Sequence, residues 1–72
     1  MARRKFTPEE REALVPGRVV TFKNGSQSHS AKVTHAPYTV DGWESVTIEI
    51  LASKGTMAKG ETFPASPGHI VL

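Results

Sequence analysis

The stretch Ser45–Leu51, reading Ser-Val-Thr-Ile-Glu-Ile-Leu, constrains the fold more than any other part of this chain. Val46, Ile48 and Ile50 fall on one face of a two-residue repeat, while Ser45, Thr47 and Glu49 fall on the other. That is the pattern of a strand with one side buried. It fixes a fold class and leaves function open.

A partner for this strand lies upstream. Ser30–Ala36 also alternates, with Ala31, Val33 and His35 on one face and Lys32 and Thr34 on the other, and Asp41-Gly42 stands between the two runs as a two-residue turn. Antiparallel pairing about that turn places Val33 opposite Ile50, His35 opposite Ile48 and Pro37 opposite Val46 on the buried face. On the solvated face it pairs Thr34 with Glu49 and Tyr38 with Ser45. Turn and alternation thus agree on one register. Pro37 cannot donate to a ladder and marks an edge or a bulge.

The flanking segments complete a five-stranded order. Arg18–Lys23 is predicted to be the first strand, followed by Asn24-Gly25, a hairpin dipeptide because both residues tolerate positive φ. A tight turn there sets Val20 opposite His29 and Phe22 opposite Gln27, while Ser26-Gln27-Ser28 also permits a longer loop. Before it, Thr7-Pro8-Glu9-Glu10 carries a helix start: Thr7 as cap, Pro8 at the first helical position and Glu10 as the capping-box carboxylate. Pro16-Gly17 ends that helix after about two turns, at about residues 8–14, too short to persist unless Phe6, Ala13 or Leu14 packs on the body. Its Glu-rich outer face suits a plug at one end of the β structure better than a recognition helix. Downstream, Ala52–Lys59 reads as a flexible connection. Glu61–Ala65 then reads as a short strand with Phe63 as its core contact and Pro64 as its terminator. Ser66-Pro67-Gly68 is a tight turn, and His69–Leu72 a final strand.

Size and charge bound what such a chain can do. At 72 residues it is one domain that buries roughly 60% of its unfolded surface, with little room for a deep catalytic cleft. It has no cysteine, which removes disulfides and thiolate metal sites and permits a reducing compartment. No apolar run approaches the ~20 residues of a membrane span, and the N-terminus lacks the apolar core of a signal peptide, so the expectation is a soluble, cytoplasmic protein. The formal charge of +2 is unevenly spread. Up to Lys23, Arg3, Arg4, Lys5, Arg11, Arg18 and Lys23 face Glu9, Glu10 and Glu12; beyond it, Lys32, Lys54 and Lys59 face Asp41, Glu44, Glu49 and Glu61. Residues 1–6 are therefore expected to be a disordered basic arm, and residues 7–72 one small domain.

The ending Phe63-Pro64-Ala65-Ser66-Pro67-Gly68-His69-Ile70-Val71-Leu72 resembles the last part of Src-homology-3-like barrels: a short strand ending in Phe-Pro, one 3₁₀ turn and a brief terminal strand. The element order from Gly17 onward is similar to that architecture as well. The resemblance implies an all-β fold, a small five-stranded Src-homology-3-like barrel with a short N-terminal helix. Signalling members of the family bind proline-rich peptides through an acidic loop and a tryptophan pair, whereas this chain has Trp43 alone and no acidic cluster before it. Similar small barrels in bacterial and phage proteins bind nucleic acid, ribosomal components or partner subunits, and that is the likeness this chain carries.

Among side chains with chemistry to offer, Tyr38, Val40 and Trp43 gather on the outer face around the Asp41-Gly42 tip. They read either as a contact surface or, if the sheet curls or a bulge reverses them, as a lid on the core. The three histidines do not make a metal site by spacing, since His29 and His35 lie six residues apart on one strand and His69 comes from elsewhere. No nucleophile elbow, paired acids or phosphate loop is present, so neither enzyme activity nor a cofactor is expected. The reading that joins these features is a non-enzymatic binding module for nucleic acid, with Arg3, Arg4, Lys5 and Arg18 on phosphates and Tyr38 and Trp43 stacking on bases. The alternative is a protein-interaction or assembly module, homo-oligomeric in one form, in which the same aromatics and a strand edge meet another chain.

Overall fold

The computed structural model describes residues 4–72. A short helix, α1 (Pro8–Ala13), precedes five strands: β1 (Val19–Asn24), β2 (Gln27–Val40), β3 (Trp43–Ile50), β4 (Thr62–Ala65) and β5 (Ile70–Val71). They form one antiparallel sheet in the order β4-β3-β2-β1-β5. The fold is thus mostly β, with the helix where the capping box put it. Thr7 Oγ1 accepts from the Glu10 amide, and the Glu10 carboxylate accepts from the Thr7 amide. The helix itself buries none of its residues. It is held instead by its flanks, Phe6 and Leu14, which are both buried.

The alternation in β3 is borne out: Val46, Ile48 and Ile50 are fully buried, and they pack with Val20, Phe22, Ala31, Val33, Ala65 and Ile70. The sheet curls over this core. Phe22 on β1 and Phe63 on β4 stand three strand spacings apart, roughly 14 Å in a flat sheet, yet their rings stack at 6.5 Å between centroids.

The interior of the β2–β3 ladder corrects the expected register. Near the turn the expectation holds, with Val40 opposite Trp43 and Tyr38 opposite Ser45. Asp41 and Gly42 both have positive φ, 51° and 79°, as a twisted two-residue hairpin turn requires. Two irregularities follow, between Tyr38 and His35 and between His35 and Val33. They slip the strands by two residues in total, so Val33 meets Ile48 and Ala31 meets Ile50. Pro37 lies in the first irregularity, as its missing amide demands. The second turns His35 away from Ile48 to face Thr47 on the outer side, where it is exposed and its Nδ1 lies 3.0 Å from Thr34 Oγ1. Because each bulge reverses the facing of the chain, two of them restore it. The buried set survives a register that was wrong in its pairs.

Smaller corrections have equally local causes. The first hairpin turns at Gly25-Ser26 rather than at Asn24-Gly25, pairing Asn24 with Gln27 and Phe22 with His29. That ladder gives Val20 to Ala31, apolar to apolar, whereas a turn at Asn24-Gly25 would have given Val20 to His29. Pro64 does not end β4 but sits inside it opposite Thr47, which an edge strand tolerates because the missing amide can face outward. The connection after β3 is more built than expected. Lys54 and Met57 bridge across a tight turn, Met57 is buried in the core, and the Gly60 amide and Glu61 carbonyl close back on Ile50.

Candidate functional site

β2 is far longer than β1. Beyond Lys32, where β1 begins, β2 loses that neighbour, and beyond Val46, where β4 ends, β2 and β3 run on alone as a two-stranded ribbon to the Asp41-Gly42 turn. Its outer face carries the aromatic residues singled out by the sequence. Tyr38, Val40, Trp43 and Ser45 share that face, since Tyr38 pairs with Ser45 and Val40 with Trp43, and Trp43 has the opposite parity to the buried Val46 and Ile48. Tyr38 is 37% exposed and lies back along the ribbon, its hydroxyl 3.2 Å from Thr47 Oγ1. Val40 at the tip is exposed.

Trp43 is half-buried, and what covers it is the N-terminal segment. The Arg4 guanidinium carbon stands 5.2 Å from the centroid of its ring, within cation–π range. The same segment is fastened to β3 by Glu44. Beyond Val46, the last β3 residue that β4 reaches, the Glu44 amide donates to the Arg4 carbonyl at 2.7 Å, so Arg4 occupies the edge of β3 where β4 has ended. Glu44 Oε1 accepts from the Phe6 amide at 2.7 Å, and Oε2 lies 3.5 Å from an Arg11 guanidinium nitrogen. The Glu44 side chain is 12% exposed, because its parity is that of Val46, Ile48 and Ile50.

The structure thus brings Arg4, Tyr38 and Trp43 to one end of the ribbon, with Lys5 exposed beside them in sequence. Arg18 stands apart at the ribbon's base. Its carbonyl accepts from the Val33 amide, five residues along β2 from Tyr38, roughly 16 Å of extended chain. Arg3 lies outside the described residues. The histidines are dispersed: His35 on the ribbon, His29 buried opposite Phe22, and His69 exposed with its Nδ1 3.0 Å from the Lys23 carbonyl oxygen. Among the described residues no three His, Asp or Glu side chains are placed to hold a metal ion, and no helix is long and apolar enough to cross a membrane.

Glu44 is the residue that sequence reasoning overlooked. Its signal was present, for a carboxylate two residues before Val46 falls on the buried side of the strand and must find partners there. No family model, curated protein or solved structure matches the chain, so its chemistry is argued from its own residues.

Proposed function

We propose that this protein is a non-enzymatic binding module, built on a small Src-homology-3-like barrel, that takes single-stranded nucleic acid on the outer face of the β2–β3 ribbon. The observation that carries the reading is the Arg4 guanidinium over the Trp43 ring, with Tyr38 and Val40 on the same face. A nucleotide presents a flat π surface joined to an anion, and this face offers aromatic rings beside cations. Tyr38 and Trp43 stack on bases, Trp43 once the Arg4 guanidinium leaves its ring for a phosphate, each contributing about 1–3 kcal/mol. Arg3, Arg4 and Lys5 meet the adjoining phosphates, and Arg18 meets the strand further along. Acidic competition near the rings is limited, since the Glu44 carboxylate is engaged by Phe6 and Arg11.

Titration of Trp43 fluorescence with single-stranded and duplex oligonucleotides at two salt concentrations tests this. The expected result is saturable quenching by the single strand that weakens steeply with salt and is lost when Arg3, Arg4 and Lys5 are all replaced by Ala. A silent titration, or one indifferent to salt, moves the function to a protein partner.

A further inference from the structure

The N-terminal segment crosses the β3 edge as a strap, and it meets that edge through one residue. The Glu44 amide donates to the Arg4 carbonyl and the Glu44 carboxylate accepts from the Phe6 amide, both at 2.7 Å, while the Phe6 side chain is buried in the core. The backbone from Arg4 to Phe6 is therefore fixed beside the ribbon. The Arg4 side chain is held more lightly. It is exposed, and its guanidinium carbon stands 5.2 Å from the centroid of the half-buried Trp43 ring. The neighbouring Glu44 carboxylate is already engaged by the Phe6 amide and by Arg11. An exposed guanidinium on a ring favours the covered state by only about two- to fivefold.

We propose that Arg4 is a gate on Trp43, which opens to a strand carrying phosphates and stays closed to bases alone. The inference rests on the nucleic-acid reading and adds a selectivity to it. The face of Trp43 under Arg4 takes a base only after the guanidinium has moved off it. What the ligand offers Arg4 in exchange decides whether that happens, because a ligand shifts an equilibrium only by its differential affinity for the two states. An uncharged base offers the guanidinium no anion to replace the ring. A phosphate offers acceptors that match its planar fork. With the Arg4 carbonyl held by the Glu44 amide, the side chain swings about a fixed backbone and stays beside the strand whose base takes its place. One cation thus serves in turn as cover and as phosphate ligand, and Glu44 is the residue that positions it.

The test compares two single-stranded oligonucleotides of one sequence, one with natural phosphodiesters and one with an uncharged methylphosphonate backbone. Each is titrated against the Trp43 fluorescence of the full chain and of Arg4→Ala. Arg4 is exposed and lies outside the core, so the variant is expected to keep the fold. The substitution is expected to move the two affinities in opposite directions. The uncharged strand binds about two- to fivefold tighter, since its base no longer competes with the guanidinium. The natural strand binds more weakly, with a salt dependence shallower by about one phosphate contact. A merely structural Arg4 would weaken both. An uncharged strand that binds Arg4→Ala no better than the unaltered chain overturns the gate and leaves the nucleic-acid reading in place, whereas failure of both strands to bind the unaltered chain overturns the two together.

Discussion

The two hairpins of this sheet share β2 yet are built in opposite ways. The β1–β2 ladder runs without interruption through six residue pairs from Asn24–Gln27 to Val19–Lys32. The β2–β3 ladder is broken twice within a few residues of its turn. In the first, a regular ladder carries the register set at the turn into the core. In the second, turn and core each set their own register, and the bulges absorb the difference. Bulges bend and twist a strand; here the outer face of the ribbon displays Tyr38 and Trp43, and the edge of β3 beyond β4 receives the N-terminal segment.

The sharpest way to break this comparison is to weaken the core pair that holds the second register. Ile48 is fully buried opposite Val33, so Ile48→Ala is expected to lose about 3 kcal/mol in denaturant unfolding. Thr39→Ala, exposed near the ribbon tip, is expected to change stability by less than about 0.5 kcal/mol. Equal effects at both positions would mean that the ribbon is no less integral to the fold than the body.

Next in size is the strap. Glu44→Ala is expected to cost about 1–2 kcal/mol, since the Phe6 amide loses its charged acceptor, and to alter Trp43 emission as Arg4 leaves the ring. Arg11→Ala is expected to cost less than about 0.5 kcal/mol, because that side chain is 53% exposed and its ion pair is screened. Should the two variants behave alike, the strap is held by charge alone rather than by the hydrogen bond to Phe6.

These features divide by how local their cause is. The helix start was legible because the capping box lies within four consecutive residues, and the Asp41-Gly42 turn because its conformation belongs to those two residues. The buried face of β3 was legible because alternation is a property of one strand. Pairing was not, since it depends on bulges whose cost is decided by packing between strands. Pro37 announced one bulge through its missing amide, whereas nothing at Thr34 announces the other. Met57 and Glu44 were hidden for a related reason: each is defined by what folds onto it from a distant part of the chain. At the candidate site, the shared face of Tyr38 and Trp43 was readable, but the Arg4 contact was not, because it needs the strap to return to β3.

The turns give a smaller test. Gly25 and Gly42 both have positive φ, 63° and 79°, and a Cβ at either would meet nothing within 4 Å. Replacing either by Ala is therefore expected to cost about 1 kcal/mol through backbone strain alone. The regular hairpin has no bulge with which to absorb a distorted turn. Hydrogen exchange should then show Gly25→Ala loosening amides along β1 and β2, and Gly42→Ala loosening those of the ribbon. Loss of protection spread evenly over both hairpins after Gly42→Ala would remove the distinction between them.

Two histidines on β2 share sequence parity but not facing. His29 lies in the regular ladder and is buried against Phe22, with neither ring nitrogen given a hydrogen-bond partner by the described residues. His35 lies past the bulge at Thr34 and points outward. A buried imidazole with unmet donors and acceptors opposes folding, so His29→Leu, similar in volume and wholly apolar, is expected to raise stability by about 1 kcal/mol. His35→Leu is expected to change it by less than about 0.5 kcal/mol, as for other exposed positions. The contrast reads the bulge directly, because without it both side chains would face the core and both substitutions would act alike. A loss of stability with His29→Leu would mean instead that the imidazole is engaged inside the core, and that the regular hairpin also holds a polar contact its ladder does not reveal.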